Sequence, residues 1–245
     1  MIKFFAGNWK MNKNKEEAAT YMRKFKQLVQ DTKSEIVIAP PFTLLETVSD
    51  ACKGSKIKVA AQNIYFESDG AYTGEISSDM VKDFAEYVII GHSERRKYFA
   101  ETDEMINKKI KAALLAGLKV IFCLGENLTQ REKGDAKKVV EHQLLGGLKD
   151  LNELNDIIIA YEPVWAIGTG KNATPEQAEE IHAFIKLQIS KFYGKSMANG
   201  VKIIYGGSVN PENSKAILKM KNIDGCLPGG ASLDPVKFSQ IIHSV

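Results

Sequence analysis

Cysteine is scarce in this chain: three residues among 245, Cys52, Cys123 and Cys226, all far apart. An odd, scattered set excludes a disulfide framework, and no pair has the spacing of a metal clip. No apolar run reaches the roughly 18 residues that a membrane span needs, so no membrane partner is expected. Neither sign of charge dominates: 33 Lys and Arg face 30 Asp and Glu, a formal net charge of +3. Both signs are interspersed along the amphipathic stretches, which describes a solvated surface and not a nucleic-acid stripe. Met1 runs directly into strand-forming residues with no charged leader, apolar segment or cleavage site, so a cytoplasmic chain is expected. Low-complexity tracts and linkers are missing too, and residues 1–245 read as one domain.

Cofactor signatures are equally thin. Gly168-Thr169-Gly170-Lys171 resembles part of a nucleotide-binding loop, but it lacks the full G-x-x-x-x-G-K-[ST] spacing and Asn172 holds the hydroxyl position. No acidic residue stands behind a G-x-G-x-x-G turn to hold a ribose, and no His, Cys and carboxylate cluster has metal spacing. The expected chemistry needs no cofactor and no metal.

What the chain does have is hydrophobic residues at 44%, enough for one sizeable core, arranged as alternating strand-like runs and amphipathic helices. Eight strand cores are expected at Lys3–Asn8, Glu35–Ala39, Ile57–Ala61, Tyr87–Ile90, Lys119–Cys123, Ile157–Tyr161, Lys202–Tyr205 and Ile223–Leu227. Thr174-Pro175-Glu176-Gln177 has the form of a capping box with proline at the first helical position, and Asn210-Pro211-Glu212 repeats the cap-plus-proline signature. Eight βα units in this length predict an α/β fold, a closed (β/α)8 TIM barrel with outer helices. The pattern leaves an open doubly wound sheet as the alternative.

The polar residues then fall at one edge. Asn8 and Lys10 follow strand 1, Gln62 and Asn63 strand 3, and Gly91-His92-Ser93-Glu94 strand 4. Glu162 ends the β-branched run Ile157-Ile158-Ile159-Ala160-Tyr161, and Gly206-Gly207-Ser208 and Gly229-Gly230 follow strands 7 and 8. In a parallel barrel these carboxyl ends surround one crevice. After Glu162, Pro163 stiffens the start of a loop whose glycines, Gly168 and Gly170, leave the tip permissive, a form suited to a lid. Small residues leading into helix N-termini after strands 7 and 8 offer backbone N–H groups to a dianion, so a phosphorylated ligand is expected. Taken singly, each ionisable residue has a bland reading. His92 could be a core histidine, Lys10 a surface lysine, and Glu162 an ion-pair partner. A base, a neutral imidazole at a helix start and a cation at three strand ends are harder to explain as coincidence.

Gly7-Asn8-Trp9-Lys10-Met11-Asn12, Ile90-Gly91-His92-Ser93-Glu94-Arg95-Arg96, Ala160 through Lys171, and Tyr205-Gly206-Gly207-Ser208-Val209 together resemble the triosephosphate isomerase family from end to end of the chain. That resemblance implies a cofactor-independent interconversion of dihydroxyacetone phosphate and D-glyceraldehyde 3-phosphate in glycolysis and gluconeogenesis, normally by a homodimer. It implies Glu162 as base, His92 as electrophile and proton shuttle, and Lys10 as the cation for phosphate and enediolate charge. Asn8 and Glu94 would support the oxyanion side, with Ser93 near the carboxylate in the open form. Backbone groups of Gly168, Ser208, Gly229 and Gly230 would hold phosphate, and residues 163–171 would close over it. The long aromatic loop Tyr65–Glu75 would carry Thr73 to the neighbour's Asn8 and Glu94, and Cys123 would be packing support.

One residue departs from the pattern. Pro228 stands where an aliphatic residue is usual, removing a donor and confining Leu227 to extended backbone just before the phosphate glycines. Other expectations remain open: a different sugar-phosphate barrel such as an epimerase or lyase, or a binding or adhesion protein that keeps the scaffold with impaired turnover.

Overall fold

Short β-branched and aromatic runs, buried on both faces, form the strands of this chain, and amphipathic segments between them return the chain to the start of the next strand. In a computed structural model describing residues 2–166 and 173–245, eight parallel strands close into a barrel in sequence order. They are β1 (Phe4–Asn8), β2 (Glu35–Ala39), β3 (Ile57–Ala61), β4 (Tyr87–Ile90), β5 (Lys119–Leu124), β6 (Ile157–Tyr161), β7 (Ile203–Tyr205) and β8 (Gly225–Cys226). Closure is made by β1 on β8, with Phe4 opposite Gly225 and Phe5 opposite Cys226. The open-sheet alternative is thereby excluded.

Four strands match their expected bounds and four are trimmed or extended by a few residues. The largest difference is β8, which is two residues long where Ile223–Leu227 was expected. Its flanks are nonetheless tied to both neighbours: Phe4 N–H donates to Asp224 O at 2.9 Å, Leu227 N–H to Tyr205 O at 2.9 Å, and Asn8 N–H to Pro228 O at 3.0 Å. The ladder stops because Pro228 has no N–H to continue it.

Around the barrel lie α1 (Lys15–Leu28), α2 (Leu45–Cys52), α3 (Ser78–Val81), α4 (Ser93–Tyr98), α5 (Asp103–Leu115), α6 (Leu128–Glu132), α7 (Ala136–Gly147), α8 (Pro175–Gly200), α9 (Pro211–Leu218) and α10 (Pro235–Ile242). Both expected helix starts are present: Thr174 and Gln177 form a reciprocal capping box on α8, and Asn210 and Asn213 do so on α9. These boxes satisfy amide donors that the first helical turn leaves free. None of the described helices is long and apolar enough to cross a membrane.

The core has two layers. Phe4, Ala6, Val37, Ala39, Tyr87, Ile89, Ile121, Cys123, Ile158, Ala160, Ile204 and Leu227 belong to the cluster that fills the barrel, while Phe5, Ile38, Val88, Phe122, Ile159 and Tyr205 pack outward against the helices. Because side chains alternate along a strand, this parity decides what reaches the mouth. Phe4 and Ala6 point inward, so Asn8 does as well; Ile158 and Ala160 point inward, so Glu162 follows them to the centre of the carboxyl-terminal face.

Candidate active site

The mouth of the barrel holds a cavity of about 680 Å³. Asn8, Lys10, His92, Glu94, Glu162, Ser208, Gly229 and Gly230 line it, so eight residues singled out from sequence converge on one space.

Glu162 is 1% exposed and held by its backbone from both sides. Its N–H donates to Leu124 O at 2.8 Å, and the neighbouring Gly206 N–H donates to Tyr161 O at 2.7 Å. A Cβ on Gly206 would stand 2.9 Å from Glu162 Cγ, so only glycine leaves room for this carboxylate. Its Oε2 accepts the Ser93 N–H at 2.9 Å. Oε1 lies 2.9 Å from His92 Nε2, a close contact with the ring. Burial works to raise the carboxyl's proton affinity, yet the adjacent His92, the Ser93 N–H and Lys10 outweigh it and hold Glu162 below the ordinary carboxylate range. The group is therefore an ionised carboxylate, with one oxygen on the Ser93 amide and the other turned to the His92 ring, which suits a base.

His92 caps α4, accepting the Glu94 N–H on Nδ1 at 3.3 Å. A ring nitrogen that accepts an amide hydrogen carries no proton of its own, so the imidazole's hydrogen is on Nε2, the atom facing the cavity and Glu162. Burial opposes charge on the ring, while Glu162 and Glu94 favour it, with a net rise in proton affinity in this pairing. The rise depends on Glu162 staying beside the ring. Without the carboxylates beside it, burial would favour the neutral ring.

Lys10 has φ 53°, a left-handed backbone that costs a side-chain-bearing residue roughly 1–2 kcal/mol. Two side chains fasten it there: its N–H donates to Asn8 Oδ1 at 3.0 Å, and Gln62 Nε2 donates to its carbonyl at 2.9 Å. The ammonium pairs with Glu94 Oε1 at 2.7 Å in a half-exposed setting, a contact an incoming dianion can compete with.

Not every expected residue lies in this space. Ser93 is buried behind Glu162, its amide on the carboxylate. Thr73 is exposed at the tip of its loop, away from the cavity lining of its own chain. Gly168, with Gly170 and the rest of residues 167–172, lies outside the described residues. Cys123 is fully buried inside the barrel, and burial pushes its thiol well above the ordinary range, in keeping with a packing residue.

Sequence reasoning passed over Glu126. This carboxylate, just past β5, is completely buried and accepts from Tyr161 OH at 3.1 Å and Trp165 Nε1 at 2.8 Å. Its carbonyl takes the Val164 N–H at 3.0 Å, so it anchors the first residues after Glu162. The one available signal was an acidic residue at the end of an otherwise apolar strand run, Leu124-Gly125-Glu126. A second network was also missed: buried Glu101 accepts from Arg95 Nε at 2.6 Å and from Lys109, which donates to Asn63 Oδ1 at 2.8 Å. It braces the segments after β3 and β4 against each other.

Pro228 is buried, with its carbonyl engaged by Asn8, and the glycine after it keeps its own turn: Gly229 O accepts the Ser232 N–H at 2.9 Å and Ser232 Oγ at 2.7 Å. The proline ring removes one donor from the β8 side of the seam with β1, but the carbonyl at 228 and the turn after it keep their bonds. Pro228→Val is accordingly expected to change kcat/KM by less than about tenfold, roughly 1.4 kcal/mol of transition-state stabilisation. A much larger gain in turnover together with tighter binding of a phosphorylated analogue would show that proline displaces the turn.

A closed (β/α)8 barrel with a buried carboxylate, an Nε2-protonated imidazole and an ammonium around one polar cavity defines a barrel enzyme built for proton transfer on a small anionic substrate. Comparison with known proteins narrows the class. A family model described as triosephosphate isomerase matches residues 3–245. The triosephosphate isomerase of Chloroherpeton thalassium is 53% identical over 247 residues, covering 99% of this chain and 98% of the relative. That of Trichlorobacter lovleyi is 51% identical over 242 residues, covering 97% and 96%. The crystal structure of the Bartonella henselae triosephosphate isomerase superposes with a TM-score of 0.92 at 38% identity, covering 100% and 99% of the two chains. The chain belongs to the triosephosphate isomerase family.

Proposed function

We propose that Glu162, His92 and Lys10 carry the interconversion of dihydroxyacetone phosphate and D-glyceraldehyde 3-phosphate, with the whole chain, 1–245, acting as one catalytic barrel. The observation that carries this reading is the ionised carboxylate whose Oε1 lies 2.9 Å from the cavity-facing nitrogen of the His92 ring. Isomerising an aldose to a ketose removes a proton from one carbon and returns one to its neighbour. A single carboxylate reaches both carbons, so Glu162 serves as base and then as acid. His92 Nε2 polarises the carbonyl and moves a proton between the two oxygens, and Lys10 stabilises the enediolate's negative charge. Asn8 and Glu94 position Lys10, and the Ser93 amide holds Glu162 in its waiting place. Ser208, Gly229 and Gly230 supply phosphate contacts remote from the reacting carbons, and Gly168 with its lid would complete them.

An assay of dialysed protein with no metal or nucleotide added tests this. Conversion of glyceraldehyde 3-phosphate is expected. Its absence would favour a different sugar-phosphate chemistry or a scaffold without turnover, a reading that no feature of the site supports.

The working assembly is a homodimer in the cytoplasm. Its support is the loop from Tyr65 to Glu75, which stacks Tyr65 on Phe66 with ring centroids 4.2 Å apart and leaves Thr73 exposed, beside a chain whose Met11 is 94% exposed and Phe99 63%. Apolar side chains left this open are of the kind an interaction surface covers. Replacing the tip of this loop, Gly70–Gly74, with a short turn is expected to give monomers that keep the barrel and lose most activity, because the partner's loop would no longer buttress Lys10 and His92. Sedimentation and activity read together along a dilution series decide it, and full specific activity in a demonstrated monomer overturns the buttressing role.

A further inference from the structure

We infer that Lys13 is a positioning residue that clamps the phosphate turn Gly229–Leu233 to the loop carrying Lys10, and so sets the distance between the substrate's two anion-binding elements; the inference rests on the isomerase reading above. Lys13 follows Lys10 by three residues and likewise has a left-handed backbone, φ 75°. A lysine in that conformation is strained, and no feature of the backbone demands a side chain there. The side chain nevertheless runs inward. Its ammonium donates to Leu233 O at 2.9 Å and lies 5.3 Å from the Trp9 ring centroid and 4.8 Å from that of Tyr21. Both rings are buried, so the cation sits on the π-faces of two core residues and reaches across to the last residue of the phosphate turn. Partial burial lowers its proton affinity, and Glu17 and Asp234 work in the opposite direction.

The bond matters because it is a polar tie at the far end of the turn, beyond the packing of Ser232 against Gly7. Asn8 N–H to Pro228 O fixes the start of the turn. In the middle, Lys10 Cε passes 3.1 Å from where a Cβ on Gly229 would stand. Lys13 to Leu233 fixes the end. With the start and end tied, the turn cannot pivot about Pro228, and the Gly229 and Gly230 amides keep their place relative to the Lys10 ammonium. Asn12 assists by donating from Nδ2 to Trp9 O at 2.6 Å, and Asn14 closes the segment by capping α1. Deleting the ammonium removes this tie at the far end of the turn, leaving the α10 cap at Asp234 in place, without touching Glu162 or His92.

The test compares Lys13→Met, Lys13→Arg and Lys13→Gly with the native enzyme, at a protein concentration where sedimentation shows every variant in the native assembly state. Four quantities are read: kcat, KM for glyceraldehyde 3-phosphate, Ki for inorganic phosphate, and turnover of phosphate-free D-glyceraldehyde. Lys13→Met is expected to raise KM and Ki each by roughly tenfold while changing glyceraldehyde turnover less than about twofold, with Lys13→Arg restoring both to within about threefold. Lys13→Gly relieves the left-handed strain and loses the ammonium, so it should show the same loss of phosphate affinity with an undiminished melting temperature. Parallel loss on both substrates, or native phosphate affinity in Lys13→Met or Lys13→Gly, overturns the clamp. A native enzyme inactive on glyceraldehyde 3-phosphate would instead overturn the isomerase reading, so the two failures are distinct.

Discussion

Lys10→Ala is expected to lower kcat/KM by roughly 10³-fold or more, a loss of at least about 4 kcal/mol of transition-state stabilisation. The size follows from position. The ammonium lies in the cavity at the barrel mouth, between Glu94 and the phosphate turn, with its backbone locked by Asn8 and Gln62. A charge fixed in advance costs no reorganisation when the enediolate forms, and it acts on the phosphate in the ground state as well. Both KM and kcat should suffer. Because alanine leaves a space next to Glu94 Oε1, added alkylammonium ions should restore part of the activity, and kinetics with and without them provide the check. A rise in KM alone, with kcat intact, would reduce Lys10 to a phosphate anchor and remove it from the stabilisation of the intermediate.

Glu162→Asp is expected to keep the fold and cut turnover by roughly 10²-fold, as misplacements near 1 Å do. The aspartate would withdraw its carboxylate by about a methylene, and the backbone has no freedom to follow. Residue 162 is tied to Leu124, its neighbour Tyr161 is tied to Gly206, and Gly206 lies against the side chain itself. Binding of a planar enediolate mimic such as phosphoglycolohydroxamate should fall less than turnover does, because most of its binding energy comes from the phosphate end. Near-native turnover in the aspartate enzyme would remove Glu162 as the base. Glu126, the other carboxylate near this loop, is no substitute: it is buried under Trp165 and Tyr161 and does not line the cavity.

Most of the barrel was legible because its signals are local. Runs such as Ile157–Tyr161 are short, β-branched and apolar throughout, and a strand covered on both faces needs nothing else. The caps at Thr174 and Asn210 are read from three or four consecutive residues, since the bonds they form are within one helical turn. Strand ends were less legible. β8 stops early at a proline, and where β5 gives way to its loop depends on its pairing with β6, Leu124 opposite Tyr161, which no local pattern records.

The site divides in the same way. Sequence alone determined that the chain is built of eight βα units and that Asn8, Lys10, His92, Glu162, Ser208, Gly229 and Gly230 sit at strand ends or in the loops that follow them, because strand period and loop composition are properties of neighbouring residues, while closure of the sheet into a barrel came from the structure. Only the tertiary structure decided which of their atoms meet. Glu162 turns Oε1 to His92 while Ser93, 69 positions away, takes Oε2. The tautomer of His92 is set by a backbone amide aimed at Nδ1. Glu126 and the Glu101–Lys109–Asn63 network tie the loops of neighbouring βα units, and the Lys13 bond to Leu233, 220 positions away, crosses the seam where the first and eighth strands meet. Such contacts join separate βα units that only packing of the strands side by side brings together, and they leave no periodicity or spacing for a sequence to display.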